Sequence, residues 1–72
     1  MADDNDKFVA IYNAGISSRL LGEYHRATKE FYEALAISTP LNDYESMSLC
    51  FGQIAIAQML KEDFEAAQSS FD

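Results

Sequence analysis

The sequence of 72 residues has no tryptophan, one cysteine, one proline and three glycines. A single cysteine excludes an internal disulfide, and a lone thiol suits a reducing compartment. So few glycines and prolines in a chain that is 49% apolar exclude low-complexity and disordered classes. No apolar run reaches the ~18 residues of a membrane span. The start, Met1-Ala2-Asp3-Asp4-Asn5-Asp6, lacks the basic opening of a secretory signal. A cytoplasmic location is therefore expected. Basic residues are also scarce: five against twelve acids, for a net charge of −7. That deficit disfavours nucleic acid and anionic membranes, which need clustered Lys and Arg.

What the chain does have is helical periodicity. Between Tyr12 and Ile37, Tyr24, Ala27, Phe31 and Ala34 alternate large and small at spacings of three and four. That places them on one stripe of a helix. Ala14-Gly15 falls inside the preceding run, where glycine weakens a helix by roughly 1 kcal/mol relative to alanine, so a close-packing role is expected. The predicted fold is all-α. A first helix spans about 6–21, with the acids of the lead complementing its dipole. A second spans about 23–38, with Arg26–Glu30 and Lys29–Glu33 as solvated pairs. Thr39-Pro40-Leu41-Asn42 breaks it, and Asn42 with Glu45 is the preferred capping box for a third helix over about 43–61. Glu62-Asp63-Phe64-Glu65-Ala66-Ala67 is expected to turn the chain again into a short fourth helix. Phe64, Ala67 and Phe71 match Tyr24, Ala27 and Phe31 at an offset of 40 residues. The same offset sets Phe51, Ile54 and Ala55 against Ile11, Ala14 and Gly15.

Ala14-Gly15, Gly22-Glu23-Tyr24-His25-Arg26-Ala27 and Phe31-Tyr32-Glu33-Ala34 resemble the tetratricopeptide repeat pattern. Ile11 and Ser18 replace its usual tryptophan and tyrosine. The 40-residue spacing resembles the long repeats of Pins/LGN-like polarity adaptors and kinesin light chains. The resemblance implies antiparallel hairpins of an α-solenoid fragment, repeat one over about 6–38 and repeat two over about 42–72, within one domain. It also implies a protein–protein interaction module. Its helix-A face would take a peptide or partner helix on Tyr12, Asn13, Ile16, Arg19, Gln53, Ile56, Met59 and Leu60. Those adaptors carry Leu-Gly-Asn where this chain has Ala14-Gly15-Ile16 and Ile54-Ala55-Ile56, so their ligand is not transferred.

No residue constellation suggests an enzyme, a metal or a cofactor. His25 reads as a surface histidine and Cys50 as a small packing residue. The stripe Met47, Ile56, Met59 and Leu60 reads equally as core filling and as an adaptable contact surface. The alternative function is self-association into a homodimer. Phe64, Ala67 and Phe71 would form an uncovered stripe at the open repeat end.

Overall fold

The structure, a computed structural model, describes the backbone of residues 3–71 and the side chains of residues 3–69. Three helices follow in order: α1 (Asp4–Leu20), α2 (Tyr24–Ser38) and α3 (Tyr44–Phe71). No strand occurs among the described residues. The expected all-α fold is present, as is the first antiparallel hairpin.

Local chemistry explains the helix ends. Asp3 caps α1 by accepting from the Asp6 amide at 2.9 Å, which satisfies one of the free N–H groups of the first turn. The carboxylates of Asp4 and Asp6 lie in that turn, on the favourable end of the helix dipole. α1 stops at Gly22, whose φ of +81° is left-handed. Gly22 N–H donates to the Arg19 carbonyl at 3.0 Å, and Glu23 N–H to the Ser18 carbonyl at 2.9 Å. This pair of bonds is the Schellman arrangement that closes a helix. The turn that follows α2 closes in the same way. Asn42 takes φ +54°, donating to the Thr39 carbonyl at 3.1 Å while Asp43 N–H donates to the Ser38 carbonyl at 3.2 Å.

Asn42 is therefore the left-handed residue that closes the turn between α2 and α3, not the expected N-cap. The cap of α3 is Asp43, which accepts from the Ser46 amide at 3.2 Å and from its hydroxyl at 2.7 Å. A larger correction concerns residues 62–71. Instead of turning at Glu62-Asp63 into a fourth helix, the chain continues α3 without a break to Phe71. The second hairpin is absent. The corresponding position in the first hairpin is Gly22, where the left-handed bend costs little. Position 62 carries glutamate, for which that conformation is strained.

α2 is the shared wall. It packs against both α1 and α3, and the outer two meet mainly across it, rather than α3 packing fully on both helices of the hairpin. The molecule is a thin layer, 49 × 22 × 12 Å. One cluster joins Ala27, Phe31, Ile54 and Ala57, with Tyr12 and Ile16 packed against it. Another joins Phe8, Ala34 and Cys50, flanked by Ile11, Tyr12, Leu35 and Ile37. Gly15 makes the α1–α2 approach possible: a Cβ built there would lie 2.6 Å from the Phe31 ring. Tyr12 meets the same ring edge-on at 5.6 Å and stacks on Phe8. Phe8 is a core residue that the repeat pattern does not single out, although it lies seven residues before Gly15, on the same helical face.

Candidate functional site: two exposed faces of the helical layer

Glu30 does not pair with Arg26. It accepts a hydrogen bond from the buried Ser18 hydroxyl, tying α2 to α1. Arg26 pairs with Glu23 at 3.5 Å instead, and Lys61 pairs with Glu65 at 3.9 Å, both at the surface. Exposed pairs of this kind are worth ~0–1 kcal/mol and do not make a site. A depression of about 540 Å³ opens between the α1–α2 turn and α3, lined by Gly22, Tyr24, His25, Arg26, Lys61 and Phe64 among others. Its two strong cations are the ones already paired, and His25 is exposed, as expected. No group of three metal-ligating side chains occurs among the described residues. Cys50 is buried, and burial pushes its thiol up from the ordinary range. It packs in the second cluster, which fits the packing reading.

The first exposed face is where α1 and α3 flank α2. On α1, Tyr12, Ile16 and Arg19 are half-buried and Asn13 is exposed. On α3, Gln53 and Leu60 are half-buried and Ile56 is exposed. Two polar atoms stand out among these residues. Arg19 Nε and Gln53 Oε1 are buried without a hydrogen-bond partner, a state that costs about 1–3 kcal/mol per group. Both belong to the expected partner-binding set. Met59 is exposed and lies two residues from the buried Ala57. At about 100° per residue it therefore points away from α2, to the far side of α3.

The second exposed face lies on that far side. Phe51 and Met59 are 54% and 55% exposed, and Ala55 and Gly52 are exposed beside them. A Cβ built on Gly52 meets nothing within 4 Å. The 40-residue offset put Phe51 and Ala55 where Ile11 and Gly15 hold α2. No described residue covers that place on α3, because α3 runs on through residues 62–71 without folding back. The sequence carries a signal for this face: residues 46–60 contain no charged side chain. A helix without charges on any side is one that expects cover on more than one side.

Among the self-association candidates, Phe64 is 53% exposed yet meets Tyr24 edge-on at 6.4 Å. Ala67 is exposed. The Phe71 side chain lies outside the described residues. No helix among the described residues is long and apolar enough to cross a membrane. Comparison with protein-family models, with curated proteins and with solved structures gives no match.

Proposed function

We propose that this chain is a protein–protein interaction module, of tetratricopeptide-like architecture, that binds a peptide or partner helix across α1 and α3. The observation that carries this reading is the pair of unsatisfied polar atoms, Arg19 Nε and Gln53 Oε1. Both atoms are shielded from solvent, so a ligand reaches them once the two long side chains swing outward, and it then supplies the missing hydrogen bonds. Ile16, Ile56 and Leu60 add apolar contact, Tyr12 and Asn13 line the α1 side, and Met59 would reach only a ligand that wraps the edge of α3. Arg19 is the cation of this set and suits a carboxylate on the ligand. The chemistry proposed is binding alone, with no enzymatic step, cofactor or metal.

The test is selection of binders from a library of random peptides displayed against the chain. It is followed by affinity measurement on the double variant Asn13→Ala with Arg19→Glu. A loss of at least ~10-fold, about 1.4 kcal/mol, is expected. Selected peptides that bind the double variant with unchanged affinity would remove this face from consideration.

The second reading, a homodimer through Phe64, Ala67 and Phe71, draws on the exposure of Phe64. Glu62, Asp63 and Glu65 surround that stripe, so such a dimer would tighten with added salt. Light scattering across a salt series checks it, and a monomer mass throughout rejects it.

A further inference from the structure

The far face of α3 has a shape and a charge pattern that point to a definite occupant. Its centre is Gly52 and Ala55, small and exposed, bracketed by Phe51 and Met59. In the first hairpin the residue equivalent to Ala55, Gly15, accepts the Phe31 ring of a crossing helix. On α3 the small residues Gly52 and Ala55 leave open space in which a crossing helix can place a large apolar side chain. The uncharged stretch 46–60 covers a length of about 22 Å along the axis. Acids bound it at both ends, Glu45 below and Glu62 with Asp63 above. Lys61, the one base of α3, is already paired with Glu65.

This charge pattern discriminates among occupants. A second copy packed in parallel would bring Glu62 onto Glu62, and one packed antiparallel would bring Glu62 towards Glu45. Both arrangements set like charges at the rim. A helix with basic ends meets opposite charge at both, which favours encounter and fixes register. The chain's own residues 62–71 continue α3 and do not cover the face. We infer that the far face of α3, centred on Gly52 and Ala55, docks an amphipathic helix of another protein that has an apolar seam and basic residues at both ends. This surface is separate from the α1–α3 face and stands whether or not that face binds a peptide.

The experiment uses the 72-residue chain, ¹⁵N-labelled, and two synthetic helical peptides of about 18 residues. Both carry the same Leu/Phe/Ala seam; one has Lys at its ends and the other Glu. With the Lys peptide, amide shifts centred on Phe51, Gly52, Ala55 and Met59 are expected. The Glu peptide should bind at least ~10-fold more weakly. Affinity for the Lys peptide should fall several-fold between about 50 and about 300 mM salt. Ala55→Glu, at an exposed helical position, should keep the helical spectrum of the chain and abolish the shifts. Asn13→Ala with Arg19→Glu should leave them unchanged, so failure here is distinct from failure of the α1–α3 reading. Four results would overturn the inference: equal binding of both peptides, no binding of either at about 1 mM, shifts confined to the α1–α3 face, or a free chain that dimerises until Ala55→Glu is introduced. Contacts between Phe51 and residues 64–71 of the same molecule would likewise overturn it, showing the face already filled.

Discussion

Gly15 and Gly52 are both helical glycines, and the space around them decides opposite outcomes. Alanine at either gains about 0.5–1 kcal/mol of helix propensity. At Gly15 the new methyl lies 2.6 Å from a ring of Phe31 that is fully buried and cannot swing away. Overpacking of this kind costs ~1–3 kcal/mol, so Gly15→Ala should destabilise the chain and Gly15→Leu should do so severely. At Gly52 nothing opposes the gain, and Gly52→Ala should raise stability by about 0.5–1 kcal/mol. Urea unfolding of the two variants measures both signs; equal effects would contradict the packing described for Phe31. Cys50 offers a third residue-scale check. Its thiol is held neutral by burial, and a thiol whose pKa is raised in the folded state favours folding only while protonated. That contribution is complete below the unfolded-state pKa and is lost as pH rises through the thiol range. Folded chain should therefore react with a disulfide reagent far more slowly than chain in denaturant. Equal rates would place Cys50 at the surface.

At the scale of elements, much of the first hairpin was legible because its signals are local. The small–large alternation of Ala27, Phe31 and Ala34 gave the buried stripe of α2, and Gly22 gave the turn. α3 was legible to Lys61 and not beyond. Phe64 and Ala67 do repeat the sizes of Tyr24 and Ala27, but size matching does not turn a backbone. A turn needs a residue that adopts positive φ, and position 62 is glutamate. Asn42 likewise takes positive φ and closes the α2–α3 turn, while the neighbouring Asp43 takes the cap. The candidate binding set on α1 and α3 rests on the tetratricopeptide resemblance, and the stranded Arg19 Nε and Gln53 Oε1 could not be read from it, since satisfaction of a polar atom depends on tertiary neighbours. Glu62→Gly follows as an element-scale prediction. Glycine there lowers helix propensity by about 1 kcal/mol and permits the left-handed stop. Amide exchange of residues 64–71 should accelerate relative to residues 50–57. No change in that ratio would mean that something other than the residue at position 62 keeps α3 straight.

On the scale of the whole molecule, a layer of three helices leaves α3 covered by α2 along one side and open along much of the rest. The open surface includes Leu49, Phe51, Ile56 and Met59, all exposed, inside a chain of net charge −7. In the docking proposed for this face, the uncharged middle of α3 would provide apolar contact while the acids elsewhere would oppose self-packing and favour a basic partner. The far face is open only while α3 runs straight past residue 62, because a fold-back there would fill it. Spin labels at positions 45 and 69, placed in a Cys50→Ala background, measure that directly by double electron–electron resonance. An unbroken helix separates the two backbone positions by about 36 Å. A distance distribution centred near that value, allowing for the label arms, is the expected result. A peak near ~20 Å, the separation of a closed hairpin with helices ~10 Å apart, would contradict it.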